Sequence, residues 1–176
     1  MSGRAHLTTS PAAASRRSPR RRAGAVACAL ASVALAAGCS DTVSIDAPSL
    51  SGADARACAA LVAELPDAVA DQSGREVDAG DGYAAAWGDP AIELRCGVPR
   101  PEELTPTAAC EVANGVGWFV PEEQQTGGPA DITMTTVGRA QYVEVQVPDE
   151  YFPPVTAMVD LGPALKQTIR SVRPCV

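Results

Sequence analysis

Six cysteines, at positions 28, 39, 58, 96, 110 and 175 of a 176-residue chain, restrict its folding more than any other feature. What they can do depends on compartment, because disulfides persist in oxidising surroundings and thiols stay free in reducing ones. Cys28 lies inside an apolar run, residues 23–37, behind a leader that carries Arg4, Arg16, Arg17, Arg20, Arg21 and Arg22 and no acidic residue. That run, at about fifteen residues, suits a secretion signal and falls short of the ~20 a helix needs to cross a bilayer. The leader is therefore read as an export signal. Ser15-Arg16-Arg17-Ser18-Pro19 resembles a twin-arginine signal only superficially, since Pro19 and the further arginines depart from it, so Sec export is expected.

The run closes on Leu35-Ala36-Ala37-Gly38-Cys39, which resembles the lipobox of bacterial lipoproteins. In that motif the cysteine thiol is acylated and the leader removed, which implies a signal peptide over 1–38 and lipidated Cys39 as the first mature residue. Ala36 stands where leucine is commoner, and Ala34-Leu35-Ala36 also offers the small-x-small pattern of a general signal peptidase. Cysteine arithmetic separates the two cleavages. Lipidating Cys39 leaves an even set of four, Cys58, Cys96, Cys110 and Cys175, whereas simple secretion leaves one unpaired thiol in an oxidising compartment. A single short acyl chain binds a membrane only reversibly, at ~10⁴ M⁻¹, so the multiply acylated form is expected. Residues 39–53 then read as a polar tether with a reach of only ~20 Å. The body, residues 54–176, is expected to sit at the extracytoplasmic face of the cell membrane.

Charge and histidine usage narrow the chemistry. Beyond position 38, eight basic residues face twenty-one acidic ones, a net charge of −13 against −7 for the whole chain. A nucleic-acid surface needs clustered Lys and Arg, and here Lys166 and seven arginines are scattered, so no nucleic-acid partner is expected. An acidic surface also repels anionic headgroups, which leaves the N-terminal lipid as the hold on the membrane. His6 is the only histidine and leaves with the leader. The body therefore has no imidazole for a Ser-His-Asp or Cys-His relay or for a transition-metal site. No catalytic residue, metal or cofactor is assigned.

Hydrophobic periodicity supplies the elements. Residues 54–65 place Cys58, Leu61, Val62 and Leu65 on one helical face, with Asp54 as a cap and Pro66 as the stop. Residues 83–87 and 91–98 read as a hairpin turning at Gly88-Asp89-Pro90, with Ile92, Leu94 and Cys96 alternating against Glu93 and Arg95. Residues 111–120 read as one strand after a proline-rich loop. Residues 132–137 and 140–147 form a second hairpin at Gly138-Arg139, with Val143, Val145 and Val147 on its buried face. Pro163 suits the first turn of a helix over 163–172, while 155–161 fits helix or strand. The expected fold is α+β: a mainly antiparallel sheet of about five strands, packed by N- and C-terminal helices and held by two disulfides. Of the three pairings of four cysteines, Cys96 with Cys110 and Cys58 with Cys175 are expected, one closing a local loop and the other joining helix to chain end.

Trp87-Gly88-Asp89-Pro90-Ala91-Ile92, Leu94-Arg95-Cys96-Gly97-Val98, and Cys110 with Asn114-Gly115-Val116 and Trp118 carry a family resemblance. The chain is similar, from Cys58 to the terminal cysteine, to small actinobacterial envelope lipoproteins that share domain of unknown function 3515. The resemblance implies an envelope location and supplies no activity or catalytic residues.

Four features offer candidate sites. Asp78, Asp81 and Asp89 could ligate calcium, but their spacing matches no EF-hand loop and solvated turn aspartates are the simpler reading. Glu102-Glu103 and Glu122-Glu123 are each adjacent in sequence, so each pair diverges and opposes no acid to a base. Trp87 and Trp118 could stack on a sugar or peptide, although core packing beside a disulfide is the commoner use. Arg95 could orient an anionic ligand or pair with Glu93 or another neighbour. The expected function is a non-catalytic envelope module that binds a protein or small ligand. The alternatives are a carboxylate-based cell-wall enzyme and a purely structural envelope protein.

Overall fold

The computed structural model describes residues 42–125, 128–173 and 175; the expected signal peptide, the lipobox-like motif and Cys39 lie outside them. Among the described residues the chain runs β1 (Val43–Ser44), α1 (Gly52–Glu64), β2 (Ala68–Val69), β3 (Gln72–Ser73), β4 (Val77–Asp78), β5 (Ala84–Trp87), β6 (Ile92–Val98), β7 (Glu111–Ala113), β8 (Val116–Phe119), α2 (Glu122–Gln125), β9 (Ile132–Val137), β10 (Tyr142–Val147) and α3 (Val155–Thr168). One sheet of order β5-β6-β10-β9-β8-β7 dominates, with every neighbouring pair antiparallel. The sixth strand arises because 111–120, expected as one strand, folds back at Asn114-Gly115. Both turn residues have positive φ, 45° and 75°, the backbone that a two-residue hairpin loop requires and that Asn-Gly accepts at least cost.

Alternation decides which face is buried. Ile92, Leu94 and Cys96 of β6, Val143, Val145 and Val147 of β10, and Met134 of β9 point to one side and are sealed from solvent. Cys58 and Leu61 of α1, and Met158, Leu161 and Leu165 of α3, cover them to form the main core. Ser51 precedes α1 without a side-chain cap. Asp54, expected as that cap, sits in the first turn and instead accepts a hydrogen bond from Gln141 Nε2 at 2.9 Å.

The cysteines pair otherwise than expected. Cys58 bonds Cys96 and Cys110 bonds Cys175, with Cα separations of 5.7 and 6.2 Å. Strand order explains the correction. Cys96 projects from the helix side of β6 onto α1, whereas Cys110 precedes β7, which β10, β9 and β8 separate from β6. At ~4.8 Å per strand that distance is far beyond a disulfide's reach.

α3 also corrects an expectation, since it runs unbroken through Pro163 and ends at Thr168. A proline inside a helix leaves the carbonyl four residues back without its donor. Here that carbonyl belongs to Val159, and Asn114 Nδ2 donates to it at 3.0 Å. The approach needs Gly162, where a Cβ would fall 2.9–3.1 Å from the Asn114 side chain. Lys166 Nζ completes the contact by donating to Asn114 Oδ1 at 3.0 Å. The β7–β8 turn therefore supplies what Pro163 withholds. At the helix end, Arg139 Nη1 donates to the carbonyls of Leu165 and Ile169, at 3.2 and 2.7 Å. A cation suits that negative terminus.

The described part of the expected tether is not free chain. β1 pairs in parallel with β4. Ile45 is 4% exposed and packs with Ala84 and Ala86 on the sheet face away from the helices. Short apolar side chains in 43–50, which composition alone groups with a polar linker, find a complementary alanine patch on β5.

Candidate functional site

Side chains on the second face follow from the same alternation, one residue out of phase. Register places Phe119, Thr135, Glu144, Arg95 and Ala84 in one row across β8, β9, β10, β6 and β5. Over this row lies a concavity of about 430 Å³, a size at which small molecules and peptide side chains are bound. Its floor is Arg95, Thr133, Thr135 and Glu144; its walls are Asp46 and Pro48 from the N-terminal segment, Pro99, Pro101 and Glu103 from the proline-rich loop, and Phe119, Pro121, Glu123 and Gln124 around α2. Gln124 Oε1 accepts from the Thr133 backbone N–H at 2.7 Å, and Gln125 Nε2 donates to the Val120 carbonyl at 2.6 Å. These bonds hold the short α2 wall against the sheet.

Arg95 and Glu144 form a cross-strand ion pair on the floor, with side chains 25% and 20% exposed. The guanidinium is thus engaged by Glu144 and not by Glu93. With Asp46, Glu103 and Glu123 on the walls, the concavity is net acidic and favours neutral polar or cationic groups over anions. Glu103 and Glu123 line it while Glu102 and Glu122 do not, as the divergence of adjacent side chains requires.

The two tryptophans belong elsewhere. Trp87 and Trp118 are 2% and 0% exposed and sit in the helix-side core, so neither presents a ring face on which a ligand can stack. Trp87 Nε1 donates to the Pro66 carbonyl at 3.0 Å. The Asp78 carboxylate accepts from the Gly80 backbone N–H at 3.1 Å, a local turn contact. Among the described residues no three His, Cys, Asp or Glu side chains gather as a metal site, and no helix is long and apolar enough to cross a membrane.

Sequence reasoning found Arg95 and missed Glu144, Thr135, Phe119 and Asp46. Period two shows that Glu144 faces away from the core. Nothing local shows that β10 lies beside β6, because the proline-rich loop, the β7–β8 hairpin, α2 and β9 separate the two strands.

A family model described as a protein of unknown function, DUF3515, matches residues 23–174. The chain belongs to this family. No curated protein and no solved structure gives a significant match. The DUF3515 span contains the floor and walls of the concavity, both tryptophans, and Cys58, Cys96 and Cys110, with Cys175 one residue beyond.

Proposed function

We propose that this DUF3515 chain is a membrane-anchored, non-catalytic module of the cell envelope that binds its partner on the open face of the sheet. The observation that carries the reading is the concavity over Arg95 and Glu144, whose walls come from three separate segments laid on a rigid sheet; binding sites are commonly built from loops on such scaffolds. The anchor rests on the Leu35–Cys39 motif and on the even set of four cysteines engaged in disulfides. The partner is an envelope protein or small ligand presenting neutral polar or cationic groups, in keeping with the acidic walls.

Photo-crosslinking in intact cells tests the binding role. A crosslinker replacing Thr133 is expected to capture a defined species that one replacing Glu76, outside the concavity, does not. Equal capture at both positions, or none at Thr133, sinks the reading. The anchor is tested separately by the intact mass of membrane-extracted protein, expected to begin at a lipidated Cys39; Cys39→Ala is expected to release the protein from the membrane.

One observation favours a second reading. Asp46, Glu103, Glu123 and Glu144 face a single hollow, as a carboxylate-based cell-wall enzyme would require. Under that reading Glu103→Gln or Glu123→Gln abolishes turnover of cell-wall fragments while leaving capture at Thr133 intact.

A further inference from the structure

A second concavity, of about 420 Å³, lies between the proline-rich loop and the C-terminal segment, and no residue lining it is acidic. Three of the eight basic residues beyond position 38, Arg100, Arg139 and Arg173, line it together. In a body of net charge −13 this is a local inversion of sign.

The hollow is built, because each wall is fixed. The Cys110–Cys175 disulfide joins loop to C-terminal segment, and both cysteines line the space. The Gly138 carbonyl accepts the backbone N–H groups of Val172 and Arg173 at 2.8 and 3.0 Å, which sets Arg173 at the rim. Gly138 has φ 72°, and a Cβ there would overlap the Arg173 backbone carbonyl, so only glycine permits the approach. Arg100 donates to the Leu104 carbonyl. Arg139, 9% exposed, directs its donors to Leu165, Ile169 and Gly115 carbonyls.

All these acceptors are neutral. Among the described residues none of the three guanidinium groups is paired with a carboxylate. Burial disfavours the Arg139 charge and pulls its pKa below the ordinary arginine value; a nearby anion would oppose that shift.

We propose that this hollow binds a multiply charged phosphate-type oxyanion, either free or carried on a lipid headgroup. Guanidinium presents paired N–H donors in the geometry of phosphate oxygens. Three cations lining one hollow match a polyanion better than a single carboxylate. Arg100 and Arg173, both exposed, supply the contacts, while Arg139 contributes charge from the floor. Thr105 and Tyr142 add hydroxyls to the lining.

The test is calorimetric titration of the full chain in neutral detergent with inorganic pyrophosphate and, separately, with short-chain phosphatidic acid, whose phosphomonoester headgroup can ionise twice, kept below its micellar concentration. Saturable binding of one or both probes is expected, and the stronger one identifies the free or the headgroup source. Arg173→Gln and Arg100→Gln should each weaken it about tenfold, the loss of one charge-assisted contact, while Arg56→Gln, exposed on α1 and outside both concavities, leaves it unchanged. Retained disulfides and a cooperative melt establish that each variant is folded. The proposal is overturned if neither probe saturates at low millimolar concentration. It is overturned equally if all three variants behave alike, since that pattern reports diffuse charge and not a site. None of these outcomes depends on the open-face reading.

Discussion

The two faces of the six-stranded sheet are made by the same strands and serve opposite ends. On the helix side Leu94, Met134, Val145 and Trp118 are sealed beneath α1 and α3. On the other side Arg95, Glu144 and Thr133 stay partly exposed and are walled by loops. Successive residues of one strand thus divide the sealed core from the open concavity, because a pleated strand sends them to opposite faces. A substitution's effect should therefore depend on phase along the strand more than on residue type.

The sharpest break of that comparison is Trp118→Ala, which opens a cavity on the buried face. Chemical denaturation is expected to register a loss of ~3–5 kcal/mol. Trp118→Phe should cost far less, because the indole N–H is buried without a hydrogen-bond partner among the described residues and phenylalanine removes that unsatisfied donor. Equal costs for Ala and Phe would show that neither the cavity nor the unpartnered indole N–H governs the site.

Replacing Cys58 and Cys96 together by alanine comes next. Releasing a bridge that spans 38 residues is expected to cost ~2–4 kcal/mol, read as a lowered melting temperature. Peptide mapping of the oxidised protein should recover Cys58 joined to Cys96; recovery of Cys96 joined to Cys110 would refute the strand order as well.

Asn114→Ala is expected to cost ~1–2 kcal/mol, through the Val159 carbonyl left without its donor and an αL residue without asparagine's tolerance for it. Asn114→Gly loses the bond but keeps the turn, so the difference between the two variants isolates backbone strain. If both match the parent protein, Pro163 is tolerated for some other reason.

The smallest stability effect is expected on the open face. Arg95→Gln removes a partly exposed ion pair worth at most ~1 kcal/mol, yet under the binding proposal it alters capture at Thr133. A large stability loss from Arg95→Gln would erase the contrast between the faces.

How far these features were legible varies with the range of the interaction behind them. The β5–β6 and β9–β10 hairpins and the burial of Ile92, Leu94, Cys96, Val143, Val145 and Val147 follow from period two and turn residues, which act over a few positions. Asn114-Gly115 carried an equally local turn signal, yet the apolar residues on both sides read as one strand and hid it. Arg95 was legible as an outward-facing cation. Its partner was not, because the β6–β10 pairing crosses 49 residues from Arg95 to Glu144.

By itself the sequence determined the alternating strands, the N-terminal helix, the set of four disulfide cysteines and the acidic balance of the body, since each rests on spacing or composition. Only the tertiary structure decided which cysteines meet, how α3 passes through Pro163, where 43–50 docks, and which carboxylates share a hollow. The physical reason is common to all four. Each depends on which strands become neighbours, and that order is set by burying the apolar face of the whole sheet at once.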